Sequence, residues 1–333
     1  MVVMNEHHSQ HQPQPLLQVA NLHVEIPTRH GVLKALEDVS FAIHAGEIVG
    51  FVGESGAGKS LTGMAVLGLL DAPARVASGA ILFDGKRLDT LGPQAMRKIR
   101  GKQIGAIFQD PLASLNPLLT VGDQLIETMT THLEIGPKEA AQRAVEWMRA
   151  VGIPAPQERL HAYPHQFSGG MRQRIVIALA LCAEPKLVVA DEPTTALDVS
   201  VQAQVLELLK QLCRERGTAI LLVTHDMGVI AENADRVAVM YAGRIVEQGP
   251  VGDIVSAPRH PYSRGLMGAI PPLEHAVEWL TQIEGTMPRL NAKPQGCAFN
   301  PRCPAVTSQC RERRAEIRSL GNSQVDCWHP VDH

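Results

Sequence analysis

The chain has 333 residues, 45% of them hydrophobic, enough to bury one large core with an appendage. A formal charge of −3 excludes the basic field that draws a protein onto nucleic acid, and 3 Trp, 3 Tyr and 6 Phe leave little for base-stacking platforms. No apolar run approaches the ~20 residues of a membrane span.

Residues 1–16 are polar and rich in His and Gln, without the basic and apolar stretches of a signal peptide, which points to the cytoplasm. They read as a disordered tail, with His7, His8 and His11 solvated rather than metal-bound. Val19 to Ile26 and Val39 to Ile43 alternate apolar and polar residues, as half-buried antiparallel strands do. Ile48-Val49-Gly50-Phe51-Val52 is continuously apolar and reads as a buried strand. It runs into Gly53-Glu54-Ser55-Gly56-Ala57-Gly58-Lys59-Ser60, a complete G-x-x-x-x-G-K-S loop, and Leu61 to Leu70 then reads as a core helix. Glycines let successive backbone N–H groups turn inward around phosphates. Lys59 supplies a point charge to the β- and γ-phosphates, Ser60 is placed to ligate Mg²⁺, and the helix N-terminus adds partial positive charge. The loop implies a nucleoside triphosphate site.

Gly79 to Gly85 adds a strand ending in a turn, and Ile104 to Phe108 a strand ending on Gln109. From about Leu118 to Leu160 the pattern changes to helical period, with Ala141, Ala144, Val145, Met148 and Val151 on one face. This predicts a helical insertion over about 110–170. A helix from Arg172, a strand Leu187 to Ala190, a helix Val201 to Cys213 and a strand Ala219 to Val223 restore the alternation that specifies a mostly parallel sheet. A strand pair, Val237 to Tyr241 and Arg244 to Glu247, is joined at Ala242-Gly243. After Pro258 the chain turns rich in Pro and Arg and loses periodicity, which predicts a separate extension over 258–333 after a main domain at 17–257.

Lys186 to Glu192 is an apolar strand ending in two acids, Asp191 and Glu192. Downstream of a phosphate loop this matches a Walker B element, in which the first acid holds Mg²⁺ and the second orients or deprotonates the attacking water. Cys182 and Cys213 read as small buried hydrophobes. Cys297, Cys303, Cys310 and Cys327 crowd the C-terminus, and in a reducing compartment such a cluster suggests metal before disulfides. Four thiolates with Pro304 directly after Cys303 suit a [4Fe–4S] cluster; without a C-x-x-C pair, Zn²⁺ fits less well, and free thiols come third.

Phe167-Ser168-Gly169-Gly170-Met171-Arg172-Gln173-Arg174 resembles the signature motif of ATP-binding cassette (ABC) ATPases. Phe and Met replace the family's usual Leu and Gln, as in the ATPase subunits of oligopeptide and dipeptide importers. The remaining landmarks fall in family order: Gln109 as Q-loop, Ala196-Leu197-Asp198 in the D-loop, and His225 after Leu222-Val223-Thr224 as switch histidine. His260-Pro261-Tyr262-Ser263 and the cysteine cluster resemble the tail of peptide-importer ATPases. The resemblance runs from about Leu17 to the C-terminus. It implies an α/β P-loop NTPase of ABC type: a mostly parallel sheet, an antiparallel β subdomain, a helical insertion and a small cysteine-containing C-terminal extension.

The resemblance also implies roles. Gly53 through Leu61, Ser168, Gly169, Gly170 and Asp198 would contact ATP, with loop and signature supplied by two chains arranged head to tail. Ser60, Gln109 and Asp191 would serve Mg²⁺, and Lys59, Glu192 and His225 the hydrolysis. The adenine-stacking loop departs from the family, since Arg29-His30-Gly31-Val32-Leu33 offers only His30 to stack or Val32 to pack. The implied protein is an ATPase subunit of an importer for di- or oligopeptides, peripheral on the cytoplasmic side of the cell (inner) membrane. Its partners would be a related second ATPase subunit, two membrane-spanning permeases and, indirectly, an extracytoplasmic binding protein. Nickel, glutathione or opines are alternative cargoes. A soluble ABC ATPase acting on DNA or ribosomes is opposed by the lack of coiled coil, second cassette or basic surface. A degenerate iron–sulfur sensor is opposed by intact Lys59, Asp191, Glu192 and His225.

Overall fold

The computed structural model describes residues 14–195, 197–270 and 282–331. His7, His8, His11 and Ala196 therefore lie outside the described residues. The chain opens with β1 (Leu17–Thr28) and β2 (Gly31–Ile43), antiparallel and longer than their alternating cores. β3 (Ile48–Val52) leads to α1 (Lys59–Leu67), and the chain returns to the first sheet as β4 (Arg75–Phe83) and β5 (Lys86–Arg87). The order β2-β1-β4-β5 makes this a four-stranded antiparallel subdomain, as its period-two pattern predicts.

α2 (Pro93–Ile99) precedes β6 (Ile104–Ile107). The predicted insertion holds α3 (Val121–His132), α4 (Pro137–Ala150) and α5 (Pro156–Arg159). Thr120 starts α3 with a capping box, accepting from the Asp123 N–H while Asp123 reaches back to Thr120. α6 (Gly169–Leu181), β7 (Leu187–Asp191), α7 (Val199–Arg216), β8 (Ala219–Val223), α8 (Met227–Asn233) and β9 (Arg236–Tyr241) follow. β6, β7, β8, β3 and β9 pair in parallel. β3 divides its side chains between two cores: Ile48 and Val52 face the helical insertion, whereas Val49 and Phe51 face the β subdomain.

β10 (Arg244–Pro250) hairpins back on β9, followed by α9 (Val251–Ser256), α10 (Pro261–Gly268) and α11 (Ser308–Glu312). The chain closes with β11 (Arg318–Leu320) and β12 (Ser323–Val325). The segment predicted to stand apart does not: β12 pairs with β10, so the main sheet runs β11-β12-β10-β9-β3-β8-β7-β6. Tyr262 and Phe299 sit edge-on against Tyr241 at 4.7 and 5.2 Å between ring centroids, carrying the core into the extension. Sparse periodicity hid this because a few aromatic side chains do the packing.

Candidate nucleotide site

The phosphate loop leaves β3 through Gly53, whose φ of +153° and position admit no side chain: a Cβ would lie 2.3 Å from the Met240 carbonyl oxygen. Gly58 (φ +105°) precedes α1. Lys59 is buried and folds back onto the loop, donating to the carbonyls of Gly53 at 2.8 Å and Glu54 at 3.1 Å. Burial pulls its pKa down, while Glu192, Asp191 and Glu54 hold it up. Its protons are thus held at the loop by carbonyls that a phosphate would replace.

Asp191 ends β7 where the Ser60 hydroxyl donates to its Oδ1 at 2.8 Å. Burial, with Glu192 beside it, raises the Asp191 pKa against the pull of Ser60 and Lys59. A carboxylate strained in this way, next to a hydroxyl oxygen, is an oxygen donor pair that suits Mg²⁺. That ion takes one or two protein ligands and completes its shell with water and phosphate.

Glu192 adopts φ +47°, and this left-handed turn swings its side chain off the strand line. Three groups meet its carboxylate: Thr195 Oγ1 at 2.8 Å and Gln109 Nε2 at 3.3 Å on Oε2, and His225 Nδ1 at 3.3 Å on Oε1. Residues from three strand ends and the turn after β7 therefore converge on one carboxylate. Thr195 had no sequence signal beyond following Glu192.

The signature lies elsewhere. Ser168 caps α6, accepting from the Met171 N–H at 3.4 Å, and Ser168 and Gly169 are exposed. Asp198 likewise caps α7, accepting from the Val201 N–H at 3.0 Å. The two caps adjoin, since a Cβ on Gly170 would lie 2.8 Å from Val201 and one on Gly169 3.7 Å from Leu197. Neither cap lines the cavity at the phosphate loop, in keeping with the expected need for a second chain.

That cavity, of about 260 Å³, runs from Ser55–Leu61 and Glu192 to Ile26, Ala35 and Leu290. His30 sits on the exposed turn between β1 and β2 and is not among the lining residues; Val32 is 52% exposed and does not line it either. The apolar end is aliphatic, and one of its residues, Leu290, comes from the extension. The pattern of β1 carried no mark of Ile26, and nothing in the sequence linked Leu290 to the site.

The extension grips the loop further. Tyr262 Oη accepts from the Glu54 N–H at 2.9 Å, and Arg302 donates to both Glu54 carboxylate oxygens at 2.9 and 3.1 Å. Lys293 and Arg314 close on Glu37 of β2, at 3.1 and 3.0 Å. Burial would raise the Glu37 pKa, but Arg314 and Lys293 bring it down to about 2.

The iron–sulfur expectation is overturned here, and zinc with it. Among the described residues no group of three or more His, Cys, Asp or Glu side chains is arranged to hold a metal ion. Cys297, Cys303, Cys310 and Cys327 are free and border one small cavity with His260, Phe299 and Trp328. Burial pushes the Cys297 thiol up to about 11 and the Cys327 thiol up to about 12. The aromatic cluster, the β10–β12 pairing and the ion pairs hold the extension onto the main domain.

Comparison with known proteins places these observations. The ABC transporter family matches residues 36–195, and the oligopeptide/dipeptide transporter C-terminal region matches residues 246–310. The dipeptide transport ATP-binding protein DppD of Bacillus subtilis is 49% identical over 315 residues, 94% of each chain. The oligopeptide transport ATP-binding protein OppD of Escherichia coli is 47% identical over 324 residues, 97% of this chain and 96% of its own. The dimeric post-hydrolysis structure of the ATP-binding cassette MJ0796 with ADP and Pi superposes with a TM-score of 0.63 at 28% identity. It covers 71% of this chain and 98% of its own.

Proposed function

The chain belongs to the ABC transporter ATP-binding proteins of the dipeptide and oligopeptide class, and from that premise we propose that it hydrolyses ATP to drive peptide import. The observation that carries the reading is the Glu192 carboxylate, held by Thr195, Gln109 and His225 beside an intact phosphate loop. The loop amides and Lys59 take the β- and γ-phosphates once Lys59 releases the Gly53 and Glu54 carbonyls. Ser60 and Asp191, with Gln109 nearby, would hold Mg²⁺, which would supply charge neutralisation at the γ-phosphate. Glu192 accepts a hydrogen bond from the attacking water and orients it, while His225 steadies Glu192 and meets the γ-phosphate. Ser168, Gly169 and Asp198, which are exposed, and the half-buried Gly170 do not line the chain's own loop cavity and serve the nucleotide of a second cassette in a head-to-tail dimer.

Among the described residues no helix is long and apolar enough to cross a membrane. The closing motion therefore passes to separate permease subunits at the cytoplasmic face of the cell membrane, through the surface beside Gln109 and α3. The second cassette is a related subunit, and an extracytoplasmic binding protein delivers cargo to the permeases. The test is co-purification of the tagged chain with membrane subunits, paired with uptake of peptides of graded length in cells lacking the gene. Loss of peptide uptake, restored by the wild-type chain and not by Glu192→Gln, is expected. Intact peptide uptake with lost nickel, glutathione or opine uptake overturns the cargo, and a chain without membrane partners overturns transport itself.

A further inference from the structure

The nucleotide cavity has two chemically different ends. One is the phosphate loop; the other consists of Ile26, Ala35 and Leu290, with no aromatic ring and no side chain able to read the edge of a base. A nucleotide whose phosphates lie on the loop extends its base toward that aliphatic end, where desolvated apolar contact is the available recognition. Leu290 belongs to the C-terminal extension, 230 residues downstream of Ser60, and opens a 3₁₀ turn, Leu290–Ala292. Its neighbours Arg289 and Asn291 are exposed, whereas Leu290 is half-buried against the β-subdomain core that also takes in Ile26.

The turn is bolted to the strand that supplies Ala35. Lys293 Nζ donates to the Lys34 carbonyl at 2.7 Å and to Glu37 at 3.1 Å. Arg314 closes on the other Glu37 oxygen at 3.0 Å. A carboxylate with two cations fixes the turn without covering Leu290, so the leucine keeps its cavity-facing side open. A half-buried leucine lining a cavity and held by a salt-bridge network is more than a surface residue.

From this we infer that Leu290 is a base-contacting residue of the ATP site: with Ile26 it forms an aliphatic clamp on the purine, in place of the stacking aromatic. The inference rests on the ATP-binding reading and deepens it. It makes the extension part of the nucleotide site. Because the clamp offers area and no hydrogen bonds, Leu290 contributes equally to ATP and GTP.

The experiment compares ATP, GTP and inorganic tripolyphosphate binding to the full-length wild-type chain, Leu290→Ala, Leu290→Trp and the exposed control Asn291→Ala. Calorimetric titration reads each dissociation constant. Leu290→Ala removes about three carbons of contact and weakens ATP and GTP roughly tenfold while leaving tripolyphosphate within twofold. Leu290→Trp restores or tightens nucleotide binding, and Asn291→Ala changes nothing. Unchanged ATP affinity in Leu290→Ala overturns the inference. So does an equal loss of tripolyphosphate, which would mean that Leu290 supports the loop and not the base. Failure of the wild-type chain to bind ATP would instead strike the ATPase reading.

Discussion

Replacing Arg302 by alanine removes the tie between the extension and the phosphate loop. The guanidinium is 6% exposed and makes two bonds to Glu54, one to Tyr241 Oη at 3.3 Å, and bonds to the carbonyls of Ile283 and Glu284 at 3.2 and 2.8 Å. It also lies over the rings of Tyr241 and Phe299, at 5.9 and 6.0 Å. Breaking a fully buried ion pair costs about 3–5 kcal/mol. The Glu54 side chain is 30% exposed and recovers part of its hydration, so about 2–3 kcal/mol is the expected loss. Thermal unfolding should show a drop of roughly 3–4 °C for a chain of this size. Tyr262 still accepts from the Glu54 N–H, so the loop stays formed and the effect on ATP is a rise of several-fold in KM. A double-mutant cycle with Glu54→Ala separates the pair from general packing damage, and a coupling of about 1.5 kcal/mol or more is expected. Additive effects within about 0.5 kcal/mol would refute the argument that the extension acts on the loop through this pair.

Three further outcomes are expected. Glu192→Gln keeps the contacts of Thr195 and His225 within reach but removes the charge, so ATP still binds while turnover falls roughly 100- to 1000-fold; undiminished turnover would end the assigned role. Gly243 has φ +86°, and a Cβ there would lie 2.1 Å from the Ala35 carbonyl oxygen, so Gly243→Ala should lose at least about 2 kcal/mol in denaturant unfolding, with wild-type stability as the contrary result. Burial lowers the His260 pKa to about 3, so the unfolded chain takes up a proton below its ordinary value near 6.5 that the native chain refuses. Stability therefore falls with acid between those values, by about 2 kcal/mol from pH 7 to pH 5. His260→Asn keeps an acceptor for the Tyr262 N–H without titrating. The difference between the two stability curves isolates the histidine from Glu247 nearby, and parallel curves would contradict the assignment.

The phosphate loop and the Walker B acids were legible in the sequence as local patterns, whereas Gln109, the signature and His225 were picked out by the family resemblance. A glycine spacing dictates backbone turns, and an apolar strand ending in two acids places both at one sheet edge. The antiparallel subdomain, the parallel core and the helical insertion were legible for the same reason, through periods of two and 3.6. Tertiary structure decided what depends on chain segments far apart. The extension joins the main sheet through two residues of β12, seats Tyr262 and Phe299 against Tyr241 in the core, and reaches Glu54, Glu37 and the nucleotide cavity through single residues. A cysteine spacing that suggested a metal proved to be a set of free thiols around one small cavity, because spacing gives proximity and only packing gives geometry. The aliphatic end of the cavity escaped the sequence for a related reason. Ile26 and Leu290 are unremarkable in their own segments, and they form one wall only because two charged side chains draw a distant turn onto β2.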